Sequence, residues 1–210
     1  PKEDRFGVYV ASLAGIGLPT LRDRDAWPDF AKLHQAAQLN RQVRNAEGLG
    51  KLVSQFFRVP AAVEQFVGHW LQLRAKDRSY LGKQRGQLAR TALVGKQVWD
   101  RQHKFRLHIG PLDLEQYVRF LPGAACIEQL QAAVRNYAGL EYAWDARLLL
   151  RADCVPPLRL GRGNRLGYTS WLGNRRDPAP AADLVLDVDR ALARRTAAKP
   201  IHSDTSGEKK

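Results

Sequence analysis

Methionine is missing from these 210 residues, cysteine occurs only twice, and 21 acidic residues face 34 lysines and arginines. Each shortage excludes something. Cys126 and Cys154 are too few for a disulfide scaffold, and neither has a histidine near it in sequence, so a catalytic thiol is not expected. No apolar run reaches the ~18 residues that a membrane-spanning helix needs, and no signal-peptide pattern is present. The reading is a soluble cytoplasmic chain with reduced thiols. The lack of methionine, with proline at position 1, reads as an internal or C-terminal piece of a longer protein.

Catalytic patterns are equally scarce. The histidines are His34, His69, His103, His108 and His202, and no HExxH, CxxC or GxSxG occurs. His103 and His108 stand five apart around a strand start and face different sides of it, which does not suit a shared metal. "GRGNRLG" has the glycines of a phosphate loop but is followed by Tyr168-Thr169-Ser170-Trp171, β-prone residues where a dinucleotide fingerprint opens a helix. Glu64, Asp145, Asp177 and Asp187 are scattered, with nothing to pair them as acid and base. Glu64 and Asp145 read instead as ion-pair partners of neighbouring arginines or anchors for loop backbone. No catalytic residue, cofactor or metal is expected.

What is present is charge in two places. Residues 74–106 hold ten Lys or Arg against two Asp, and residues 147–177 hold seven Arg against two Asp. Together they account for the whole net charge of +13. Both segments contain glycine-punctuated stretches, "YLGKQRGQLARTALVG" and "RLGRGNRLGYTSWLG".

The periodicity around them gives an α+β fold. Residues 29–43 and 46–57 read as helices, the second from Leu49, Leu52, Val53, Phe56 and Phe57, stopped by Pro60. Residues 61–73 read as a strand, with Val63, Val67, Leu71 and Leu73 on one side. "KFRLHIG" alternates, and "GPLDLEQYVRFLPG" is a short helix capped at Asp113 with Gln116 three residues on. Ile127, Leu130, Val134 and Tyr137 share a helical face closed by Gly139. Residues 140–150 alternate as the clearest strand, and "DLVLDV" is a short one.

A unit of helix, strand, long loop and strand therefore occurs twice, at about 48–109 and 126–188. Phe56, Val59, Val63 and Glu64 align with Tyr137, Leu140, Trp144 and Asp145 at one constant offset, and Leu81-Gly82 falls against Leu160-Gly161. The expected organisation is an N-terminal segment 1–47, a first unit 48–125 with a basic loop 75–97, a second unit 126–189 with a basic loop 153–176, and a mobile tail 190–210. Val63, Trp70, Trp144 and Leu148 are the expected core. Trp99 and Trp171, near loop ends, either pack the loop bases or anchor an interface.

The series GPL, FLPG, WD, LG, SWLG and DLVLD, carried by "KFRLHIGPLDLEQYVRFLPG", "YAGLEYAWDARLLL" and "LGYTSWLG", closely resembles the TssG (ImpH or VasB) family of the bacterial type VI secretion baseplate. The similarity runs from about Glu47 to Val188. Tyr168 stands where the family often has Trp, and Ala124 where another small residue is common. The family's usual N-terminal portion is absent. The resemblance implies a non-catalytic adaptor that joins a TssF dimer in the core of a baseplate wedge. It implies that protruding loops hold TssK trimers, that the wedge surrounds the spike hub beside other baseplate subunits, and that the assembly sits on the cytoplasmic side of a Gram-negative membrane without inserting into it. The loop residues nominated for TssK are Leu81, Gly82, Arg85, Leu93, Leu160, Gly161, Arg162, Arg165, Leu166 and Trp171. The alternative raised by the basic loops is a nucleic-acid-binding module. It lacks a recognition helix and an aromatic RNA-binding motif.

Overall fold

The computed structural model describes residues 5–79, 95–158, 165–173 and 177–198. The chain enters through helix α1 (Arg5–Leu13) and short helices α2 (Asp29–His34) and α3 (Ala36–Leu39). The single helix expected over 29–43 breaks at Gln35, which is buried and donates from Nε2 to Gln55 Oε1 at 2.9 Å. In this segment Trp27 is fully buried, and Lys32, 3% exposed, sits between Asp25 and Asp29 at 2.9 and 3.0 Å.

Helix α4 (Ala46–Phe57) starts where the Asn45 side chain accepts from the Gly48 N–H at 2.8 Å, and it buries Leu49, Leu52 and Val53. That spacing puts one apolar stripe inward. Strands β1 (Ala61–Glu64), β4 (Lys104–Leu112), β5 (Ala143–Leu150) and β6 (Ala181–Leu186) form one sheet in the order β1-β4-β5-β6. Strands β2 (His69–Gln72) and β3 (Gln97–Asp100) form a separate antiparallel pair. Strands β4 and β5 are parallel and the outer pairs antiparallel. A parallel pair needs a crossover, here supplied by α5 (Leu114–Arg119) and α6 (Ala125–Ala138). The expected capping box of α5 is formed: Asp113 Oδ1 accepts from Gln116 N at 2.7 Å, and Gln116 Oε1 from Asp113 N at 3.2 Å.

The helices lie against one face of the sheet, where Leu107, Ile109, Ala146 and Leu148 are buried. The Tyr137 hydroxyl of α6 donates to the Asn45 carbonyl at 3.1 Å and accepts from the Asn45 N–H at 3.3 Å, joining α6 to the start of α4. At the β4 bulge, Gly110 has φ +131, and a Cβ there would lie 2.4 Å from the Leu149 carbonyl oxygen. The glycine of "GPL" is thus required by backbone sterics.

Several expectations need correction. The strand expected over 61–73 is two strands in two sheets, parted by a turn in which Phe66 takes φ +58. Trp70, expected in the core, is 60% exposed, because it lies on the separate β2–β3 pair. Val63 is half-buried at the core's edge, whereas Trp144 and Leu148 are buried in it. The strand expected from 140 begins at Ala143, with Leu140 and Tyr142 exposed. The tail expected from 190 begins as helix α7 (Val188–Ala198), held where Asp189 accepts from Gln131 Nε2 and Arg135. Of the expected duplicated unit, α4, β1 and β4 correspond in order to α6, β5 and β6, but the pair β2–β3 intervenes between β1 and β4. Burial at the aligned positions does not always recur, since Val59 is 4% exposed and Leu140 78%.

Candidate partner-docking surface

The two basic segments expected as loops are described at their bases, and those bases are built differently. The first leaves from β2 and returns at β3. Trp70 and Trp99 face each other across the two strands, their rings edge-to-face at 5.2 Å. Cross-strand aromatic pairs of this kind stiffen a hairpin that is otherwise marginal. Leu73 N–H donates to the Lys96 carbonyl at 2.9 Å and extends the pairing one step outward. At the inner end Asp100 takes His103 at 3.1 Å and lies 3.6 Å from His69. The hairpin meets the main sheet where Val67 N–H donates to the Lys104 carbonyl at 3.0 Å. Phe66, Trp70, Leu71 and Trp99 are left exposed around this base.

The second base is the segment 165–173, and it is latched to the core. The Tyr117 hydroxyl of α5 donates to the Tyr168 carbonyl at 3.0 Å. Burial pushes the Tyr117 phenol well above its ordinary value, so it remains a donor at any ordinary pH. Trp171 Nε1 donates to Asp183 Oδ2 at 3.1 Å, and its backbone bridges to Pro157. Arg165 donates to the Pro122 carbonyl at 2.9 Å and lies 5.0 Å over the Tyr168 ring. Its backbone N–H donates to the buried Thr169 hydroxyl at 2.8 Å. From this fixed base Leu166 and Leu172 project with 91% and 90% exposure.

These positions sort the nominated residues. Leu166 stands free in solvent. Trp171 is half-buried and packs the base, and Arg165, itself exposed, braces it through the Pro122 carbonyl. Leu81, Gly82, Arg85, Leu93, Leu160, Gly161 and Arg162 lie outside the described residues. Leu172, which the sequence reading did not nominate, is exposed like Leu166, and its leucine-glycine pair is the third in the same stretch.

Between the two bases the sheet carries a row of charge. Glu64, Arg106 and Asp145 are register partners across β1, β4 and β5, on the face away from the helices. Asp145, 3% exposed, accepts from Arg106 Nε at 2.5 Å and from Arg106 Nη2 at 3.0 Å, with Lys104 Nζ at 2.8 Å. Burial alone would raise its carboxyl, but the hydrogen bonds and charges of Arg106 and Lys104 outweigh that and hold it below the ordinary carboxylate range. Glu64 takes His108 at 2.8 Å. Asp145 is thus ion-paired with a neighbouring arginine, as expected from the sequence, whereas the partner of Glu64 is a histidine. Among the described residues no group of three or more His, Cys, Asp or Glu could hold a metal ion, and no helix is long and apolar enough to cross a membrane.

Leu166, Leu172, Trp70 and Trp99 thus stand exposed at the two bases, while the buried Asp145 is committed to Arg106 and Lys104. The chain belongs to the type VI secretion TssG family, whose model matches residues 1–173. The match begins well upstream of Glu47, where the family-like motifs of the sequence begin. No curated protein matches. Among solved structures, the fold is similar to a chain of the type VI secretion system TssK-TssF-TssG baseplate subcomplex. The TM-score is 0.70 at 18% identity, over 99% of this chain and 87% of that one. It is also similar to a chain of the baseplate complex from the type VI secretion system, with TM-score 0.57 and 20% identity, over 88% of this chain and 53% of that one.

Proposed function

We propose that this chain is a structural, non-catalytic adaptor of the type VI secretion baseplate, working on the cytoplasmic side of the membrane-docked assembly. It joins a TssF dimer in the core of a wedge and holds TssK trimers through the loops 75–97 and 153–176. The observation that carries the reading is the latched segment 165–173. Its backbone is tied to Tyr117, its Trp171 side chain to Asp183 and its Arg165 side chain to Pro122, while Leu166 and Leu172 point into solvent. A chain does not brace two exposed leucines on a loop for its own stability, whereas pre-ordered apolar anchors are what make an interface tight. The shared fold with a chain of a TssK-TssF-TssG subcomplex supports the choice of partners. The recurrence of helix, strand, insertion and strand supports a duplicated body that offers a docking foot from each half.

The test replaces each loop by a short Gly-Ser linker. Either replacement should keep TssF bound and remove one TssK attachment, and the double replacement should remove TssK. Normal TssK binding by the double replacement would overturn the reading, as would release of TssF by a single replacement that leaves TssK attached.

A further inference from the structure

The end of α4 faces α5 and the start of α6 across a cleft of ≈ 390 Å³. Its floor is aromatic. Phe57 stands edge-on to Phe56 at 4.7 Å and to Phe120 at 5.1 Å, and Phe120 is buried while the other two are half-buried. Arg58 and Arg119 line the same cleft and are exposed, and no acid lines it. Neither guanidinium has a hydrogen bond or ion pair among the described residues, whereas Arg106, Arg135 and Arg151 each hold a carboxylate.

Arg58 also stands where arginine is disfavoured. It ends α4 with φ +56 and ψ +41, the left-handed conformation that glycine adopts without cost and that crowds the Cβ of any L-residue. The guanidinium offsets this strain with no hydrogen bond or ion pair among the described residues. Two free guanidiniums at the lip of an aromatic cleft match one chemistry well: a carboxylate next to an apolar side chain. Guanidinium forks take carboxylates in a bidentate way, and the rings beneath exclude water from that bond.

We propose that this cleft docks an acidic segment of a partner protein, which lays an apolar side chain on the half-buried Phe56 and Phe57 and sets its carboxylate between Arg58 and Arg119. The site is separate from the two loops. It rests on the adaptor reading only for the choice of TssF and TssK as the proteins to test.

The experiment measures the affinity of the purified full chain for TssF and for TssK across a salt series. The variants are Arg58→Gly, Arg58→Gly with Arg119→Ala, and the charge reversal Arg58→Glu with Arg119→Glu. Arg58→Gly removes the charge while easing the backbone, so its melting temperature should hold or rise, which separates lost binding from lost folding. One of the two complexes should weaken about threefold or more with Arg58→Gly and about tenfold or more with the double variants, with a shallower salt dependence than wild type. Wild-type affinity and salt dependence in both complexes would overturn the proposal. So would a loss confined to the charge reversal, since that would report repulsion without a native contact. The adaptor reading fails by a different result, retention of TssK after both loops are replaced. If the wild-type chain bound neither protein, that reading and this proposal would fall together.

Discussion

The two loop bases use similar residues and reach opposite solutions. The first stands on a two-stranded hairpin whose tryptophans support each other in solvent, 60% and 52% exposed. The second is tied by side chains into α5, β6 and the turn after α5. The hairpin is stiffened mainly by its own cross-strand pair and meets the main sheet at the Val67–Lys104 hydrogen bond. The second segment is instead held through the buried Tyr117 and through side-chain bonds to Asp183 and Pro122, so it is coupled to the core. The difference teaches that glycine-punctuated loops of similar composition can differ in mechanical coupling, and that the anchoring side chains, not the loop letters, decide which is which.

The sharpest test of this contrast starts beneath the second base. Leu148 is fully buried on β5, the strand that leads into that loop. Leu148→Ala should cost about 2–5 kcal/mol, a fall in melting temperature of roughly 5–15 °C for a domain of this size. Unchanged melting would mean that the second base does not rest on a packed core.

Next comes the charge row that links β4 to β5. Asp145→Ala removes the shared partner of Arg106 and Lys104. It should cost about 2–3 kcal/mol, below the full penalty of a broken buried pair because both cations can turn to water. The same carboxylate gives a pH signature. Its folded-state pKa is depressed below the ordinary 3.8. Its contribution is therefore fully present above about pH 4 and is lost as pH falls through the lower folded value. Melting curves of wild type and Asp145→Ala should converge as the pH is taken below 4. A constant gap across that range would show that the carboxylate's charge is not what holds the two strands.

The smallest effects separate the bases directly. Tyr117→Phe deletes the donor to the Tyr168 carbonyl and should cost about 1 kcal/mol, with faster amide hydrogen exchange across 165–173. Trp70→Ala should cost about 0.5–1 kcal/mol, the value of one aromatic pair at an exposed site, and speed exchange only around the hairpin. Exchange that spreads from the hairpin into 165–173 would break the comparison, because it would mean that the two bases move together.

Much of this protein was legible from local pattern. Asp113 and Gln116 announced a capping box, Ile127, Leu130, Val134 and Tyr137 announced the buried face of α6, and alternation announced β4 and β5 with Leu148 inside. Each signal is carried by residues within a few positions of one another, where spacing alone fixes the geometry. The ordered motifs around "GPL" and "SWLG" likewise pointed to the family before any coordinates. Tertiary structure decided the rest. Val63 and Leu71 share a period-two pattern, but a left-handed Phe66 sends them to different sheets, and Trp70 goes to solvent with the second. The hydrogen bond from Arg165, nominated in the sequence as a loop residue, to the Pro122 carbonyl 43 residues away has no local signal. Only the fold sets Arg58 at a cleft beside Arg119. Periodicity reports which side of an element is apolar. Which element covers that side, and which distant carbonyl, ring or carboxylate a polar side chain meets, depends on contacts between residues far apart in the chain, and only the folded chain brings them together.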